Sequence, residues 1–190
     1  MNKLHDLPND WQHDTMERAL RNVSKFDLAI DCGAHRGIVT NYLKTRFTHV
    51  VSIEPSELAD KISGDNVTVV KKALGDKFTR VGMEHGKHNT GQRHVVLGSQ
   101  YEMITLDSLE LVPDFIKIDV EGFEFFLLNG AEKTIRTHKP IIIFEENGLN
   151  RRYGIDDKTC GTLVKAWGMR LLDSYKSFRG ERDMEYVFGW

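Results

Sequence analysis

The stretch LAIDCGAHRGIVTNYL, residues 28–43, passes from a strand pattern into a helix pattern with no linker between them. Leu28, Ala29 and Ile30 suit a buried strand, Asp31 places an acid near its end, and Gly33 and Gly37 bracket a turn. Ile38, Tyr42 and Leu43 then fall on one helical face. A strand that ends in glycine and enters a helix at once lets the polar atoms of a ligand approach bare backbone.

The same alternation extends in both directions. Upstream, residues 10–24 carry Met16, Leu20 and Val23 at helical spacing, within an N-terminal helical extension covering 1–26. The strand occupies 27–32 and the helix 37–47; a β-branched strand follows at 48–53 and a helix over 54–63, with Pro55 and Ser56 in its first turn. A third strand spans 66–74 and stops at Gly75-Asp76. Residues 77–104, rich in Gly and His, read as strands or a hairpin around a mobile loop, the variable part being 77–100. A fourth main strand (114–120) leads into a helix over 121–138, with Phe123, Phe126, Leu127, Ala131 and Ile135 inward. Phe125 falls off that face and is left for a substrate pocket. The fifth strand, 139–146, is apolar on both faces, as parallel strands are. A helix over 156–168 and two strand-like segments, 169–178 and 183–190, end the chain with an antiparallel hairpin expected at the sheet edge.

Alternation of this kind predicts an α/β, doubly wound, mostly parallel sheet with helices on both faces, whose ligands bind at the carboxyl ends of the strands. The chain has 190 residues, 40% hydrophobic and 28% charged, as for one globular domain spanning 1–190. A net charge of −2 gives no overall basic footprint for nucleic acid or an anionic membrane. Cys32 and Cys160 are far apart and read as reduced thiols. With no apolar signal core at the N-terminus and no apolar run of membrane length, a cytoplasmic protein is expected.

The strand ends narrow the ligand. A dinucleotide site favours GxGxxG and a P-loop needs GxxxxGK[ST]; the run Asp31-Cys32-Gly33-Ala34-His35-Arg36-Gly37 is neither. An acid followed by GxxxG suits a cationic ligand without phosphate, such as S-adenosylmethionine, with Gly33 admitting close approach and Asp31 binding the ammonium directly or through water. Glu54, after the second strand, suits two ribose hydroxyls and would repel a 2′-phosphate. The plainer alternatives are a tight strand-to-helix turn at Gly33 and Gly37, and a helix-start acid at Glu54.

The segments IDCGAHRGIVT, VVSIEPSE, KKALGD, ITLDSL and, most specifically, DFIKIDVEGFEFFLLNGAEKTI with KPIIIFEEN resemble the FkbM-type S-adenosylmethionine-dependent methyltransferases. The resemblance covers residues 28–147. It implies a class I methyltransferase fold, Rossmann-like, with a mostly parallel seven-stranded sheet and one antiparallel strand near its edge. It also implies O-methylation of a sugar or polyketide hydroxyl. By position, Asp31, Gly33 and Ala34 match the glycine-rich cofactor motif, to which Gly37 belongs in this sequence; Glu54 matches the ribose acid; Ala73 and Leu74 match the segment flanking the adenine. Asp119, Glu121 and Gly122 match the motif at the reaction centre. Residues 77–100 match no pattern.

A hydroxyl nucleophile must lose a proton, which calls for a base or a metal. Asp119 and Glu121 end the fourth strand, Glu145 and Glu146 the fifth, and crowding among them would raise a pKa. Glu121 is the expected base, Asp119 the partner of the cofactor's methionine end, and Glu145 an orienting group for the substrate; Glu146 reads as a solvated neighbour. A first-turn helix acid is the plain alternative for Glu121. The same carboxylates offer hard oxygen ligands to Mg²⁺, although no dedicated spacing demands it. His85, His88 and His94 are loosely spaced for zinc and suit a solvated loop, or a lid carrying a histidine base. His35 faces solvent or the cofactor. Arg151, Arg152 and Tyr153 suit a basic surface loop, or the binding of a phosphate or an acidic sugar. The acceptor is expected to be a small molecule or glycan, with neither nucleic acid nor membrane as partner. The alternatives are a non-catalytic cofactor-binding module of the same fold, and an NAD-dependent oxidoreductase, disfavoured by the missing glycine.

Overall fold

The strand predicted from the opening stretch forms as β1 (Leu28–Cys32), with its last four residues buried. Ile30 and Cys32 join the apolar cluster on one face of the sheet; Ala29 and Asp31 point to the other, where Asp31 meets Thr40. The structure, a computed structural model, describes residues 10–86, 89–176 and 184–190. Its remaining elements in chain order are α1 (Asp10–Leu20), α2 (Ile38–Leu43), β2 (His49–Ile53), β3 (Val67–Val70), β4 (Ala73–Leu74), β5 (Thr79–Gly86), β6 (Asn89–Leu97), β7 (Tyr101–Ile104), β8 (Phe115–Ile118), α3 (Glu124–Asn129), α4 (Glu132–His138), β9 (Ile141–Glu146), α5 (Thr159–Ala166), β10 (Arg170–Lys176) and β11 (Met184–Gly189).

Seven strands form the main sheet in the order β3-β2-β1-β8-β9-β11-β10. Pairings from β3 to β9 are parallel, and β11 is antiparallel to both neighbours. Leu127, Leu128, Ile135 and Val164 of α3, α4 and α5 pack on one face; Met16, Leu20, Val39 and Leu43 of α1 and α2 pack on the other. The expected α/β architecture with helices on both faces is therefore present. The chain winds outward from β1 through β2 to β3 on one side and through β8 to β9 on the other. The strand order thus reverses between β1 and β8, and the crevice at the carboxyl ends there is where such sheets bind ligands.

Several elements differ from the sequence reading. The third strand ends at Val70; Ala73 and Leu74 leave the main sheet and pair with β7 in a second, four-stranded sheet ordered β4-β7-β5-β6. β5, β6 and β7 supply the rest of that sheet, with β5 and β6 paired antiparallel. The helix expected over 54–63 is a short 3-10 turn, Glu57–Lys61, capped by Ser56 rather than begun by it. The helix expected over 121–138 is two helices, parted at Gly130. A Cβ on Gly130 would lie 1.9 Å from the Gly75 carbonyl oxygen, so the chain there passes too close to Gly75 for any side chain. In the C-terminal pair only β10 is an edge strand, because β11 inserts between it and β9.

Candidate active site

The turn after β1 is built largely from contacts within the protein. The Gly33 and Ala34 amides both donate to the Ile53 carbonyl, at 2.9 and 3.1 Å, tying the ends of β1 and β2 together. Gly33 has φ +76°, and a Cβ there would sit 1.9 Å from the Asp119 carbonyl oxygen, so glycine lets the β1 and β8 ends converge. Gly37 (φ +82°) starts α2, where an added Cβ would press on Ile62 at 3.1 Å.

Asp31 is fully buried under this turn. It accepts a hydrogen bond from Thr40 Oγ1 at 2.7 Å, and register places it beside Lys117 of β8 on the same face. The Lys117 ammonium lies 3.3 Å from Asp31 Oδ1 and 3.6 Å from Asp119 Oδ2, and donates to the Gly33 carbonyl at 3.2 Å. Burial pulls the Lys117 pKa down, but the facing Asp31 and Asp119 carboxylates outweigh it and hold the ammonium above its ordinary value.

Above this base lies a cleft of about 230 Å³. Of the expected cofactor residues, Gly33, Ala34, Glu54, Ala73, Leu74 and Asp119 line it. Asp31 and Gly37 do not: Asp31 is sealed beneath, paired with Lys117, and Gly37 serves the backbone turn. Glu54 is 6% exposed. Its Oε2 accepts the His35 amide at 3.1 Å, while its Oε1 accepts the Ser56 amide at 3.1 Å and hydroxyl at 2.5 Å. His35 also lines the cleft; burial and the adjacent Arg36 lower its pKa, which favours the neutral ring.

At the opposite end Glu121 lines the cleft in a left-handed turn, φ +55°, followed by Gly122 at +97°. Glu124 holds that turn: its buried Oε1 accepts the Val120 amide at 3.0 Å and the Gly122 amide at 3.1 Å. Burial raises the Glu124 carboxyl to about 7.

Glu145 is not in the cleft. It lines a separate small hollow bordered by Lys117, Asp119 and Glu185, and accepts a hydrogen bond from Asn147 at 3.1 Å. The expectation of a solvated Glu146 is corrected. It is 9% exposed, accepts the Cys160 and Gly161 amides at the start of α5, at 3.2 and 3.5 Å, and is pushed up by burial. Phe125 packs edge-on against Phe126 and does not line the cleft. Arg151 pairs with Asp157, and the Tyr153 hydroxyl donates to the Val95 carbonyl at 2.9 Å. Among the described residues no group of three or more His, Cys, Asp or Glu side chains is placed to hold a metal ion. The zinc reading rested on His88, which lies outside the described residues, and on His85, whose side chain does too. Among the described residues no helix is long and apolar enough to cross a membrane.

Lys117, Glu124 and Arg93 escaped the sequence reading. The first two had signals, a lysine inside the apolar run FIKI and a second acid three residues after Glu121. Arg93 had none, because only the β5–β6 hairpin brings it, with Met83 and Val95, over the cleft.

A parallel sheet with an inserted antiparallel strand, and a carboxylate-flanked cleft at its reversal point, define a Rossmann-like methyltransferase fold. The family model of the methyltransferase FkbM domain matches residues 31–171, and the chain belongs to that family. Among solved structures, methyltransferase FkbM from Methylobacillus flagellatus KT is similar with TM-score 0.57 at 19% identity, over 86% of this chain and 43% of that one. This chain thus spans less than half of that protein's length. The N-methyltransferase NodS from Bradyrhizobium japonicum WM9 gives TM-score 0.58 at 10% identity, over 96% and 97% of the two chains. SMU.1697c, a putative methyltransferase from Streptococcus mutans in complex with SAH, gives 0.51 at 11% identity, over 93% and 95%. No curated protein matches the chain in sequence.

Proposed function

We propose that the chain is an S-adenosylmethionine-dependent methyltransferase acting on a hydroxyl of a sugar, glycan or small-molecule acceptor. The observation that carries this reading is one cleft with a buried carboxylate, Glu54, at the β2 end and two half-buried ones, Asp119 and Glu121, at the β8 end. The S-adenosylhomocysteine held by the Streptococcus mutans neighbour supports the choice of donor.

The cleft's own chemistry fits that donor. Two of its lining residues carry buried nitrogens without a hydrogen-bond partner among the described residues, Arg93 Nε and His35 Nε2. A nucleoside rich in oxygen and nitrogen supplies such partners. A carboxylate has about four acceptor sites, and the protein fills three on Glu54, leaving room for one ribose hydroxyl rather than two. Asp119, with its side chain 28% exposed beside Lys117, remains available to an ammonium. When bound, the cofactor supplies an already activated methyl group. The chain aligns the acceptor, keeps water out beneath the β5–β6 hairpin, and takes the hydroxyl proton on the Glu121 carboxylate.

The test is transfer of labelled methyl from S-adenosylmethionine to a panel of sugars, glycans, hydroxylated small molecules and amines. Methylated hydroxyls are expected, with kcat reduced about a hundredfold in Glu121→Gln and S-adenosylhomocysteine affinity retained. Transfer to amines alone would overturn the oxygen assignment. Cofactor binding without transfer to any acceptor would favour the non-catalytic module.

A further inference from the structure

We infer that Arg93 is a cofactor-contacting residue, donating from Nε to an acceptor on the nucleoside half of the methyl donor. The inference rests on the donor proposed above. Arg93 and Val95 lie two apart on β6 and so share one face of the hairpin, the face that lines the cleft. The Arg93 side chain is only 13% exposed, and one arm of its guanidinium donates to Glu57 Oε1 at 2.6 Å. The guanidinium is a rigid planar fork, so fixing that arm also fixes the direction of the Nε–H. That Nε is buried and has no acceptor among the described residues, a costly state for a charged donor.

Position selects the half of the ligand. Glu57 follows the ribose candidate Glu54 by three residues, at the carboxyl end of β2. The Glu57 hydrogen bond outweighs burial and, with further support from the Glu54 charge, keeps the guanidinium above its ordinary pKa. Asp119 and Glu121 lie beyond β1, at the end of β8. An adenosyl group offers acceptors at its ring nitrogens and ribose oxygens, whereas the sulfonium centre offers none. Met83, Arg93 and Val95, from a stretch that matches no motif, thereby become the second wall of the cofactor site.

The test is calorimetry with two probes, S-adenosylhomocysteine and 5′-methylthioadenosine, which share the nucleoside but not the amino acid. Arg93→Lys keeps a cation for Glu57 and thus the hairpin contact, while removing the second donor; Arg93→Ala removes both. Arg93→Lys is expected to bind both probes about tenfold more weakly than wild type, with the thermal midpoint of the ligand-free protein unchanged. Equal affinity of Arg93→Lys and wild type for both probes overturns the inference. So does a loss confined to S-adenosylhomocysteine, which would put the contact on the amino acid. Wild-type protein that binds neither probe removes the donor itself, a failure distinguishable from the other two.

Discussion

Lys117 stands in the middle of an apolar strand, 7% exposed, between two carboxylates and a carbonyl oxygen. A buried charge of this kind persists only while it is paired. Lys117→Met should therefore leave Asp31 uncompensated and cost about 3–5 kcal/mol in urea unfolding, whereas the double variant Asp31→Asn, Lys117→Met should recover part of that loss. Glu124 makes a different prediction. Its folded carboxyl, at about 7, holds a proton where an unfolded one, at the ordinary 4.5, has released it. Its contribution to stability is therefore fully present below about 4.5 and lost as pH rises through about 7. Wild type should lose stability relative to Glu124→Gln across that window and run parallel to it above; parallel curves throughout would contradict the assignment. Asp31 looked like a ligand group because a strand-end acid beside glycine often is one. The structure pairs it with Lys117 of another strand, and register, which a single sequence does not display, decides that pairing.

Among the elements, strands were legible and helix lengths were not. Apolar runs at 27–32, 48–53 and 139–146 fall on β1, β2 and β9 within a residue or two, because strands buried on both faces have few alternatives. The segment 121–138 kept helical spacing throughout, yet the chain breaks at Gly130, where backbone meets backbone at Gly75. An isolated glycine in a helical pattern was the available signal. Gly130→Ala should force that contact apart and destabilise the fold by at least about 2 kcal/mol in chemical denaturation; an unchanged midpoint would mean the two segments separate freely. The hairpin was legible only as a hairpin. Its place over the cleft depends on β4 and β7 pairing outside the main sheet, and on the Tyr153 hydrogen bond to Val95, both long-range contacts.

For the whole molecule, the strand order sets where chemistry is possible. Placing β1 between β2 and β8 brings Glu54, the Gly33 turn, Asp119 and Glu121 around one crevice, although these residues span 33–121 in the chain. That convergence was foreseeable from alternating strands and helices, since doubly wound sheets put their ligands at strand ends. Glu145 failed to join it because β9 lies one strand further out and its side chain lines the hollow on the other side of Asp119. The most direct measurement is a crystal structure of the protein grown with S-adenosylhomocysteine. The expected density fills the cleft, with a ribose hydroxyl on the Glu54 carboxylate and the sulfur toward Asp119 and Glu121. Density bound elsewhere, or a ribose turned away from Glu54, would contradict the assignment of this cleft as the methyl-donor site.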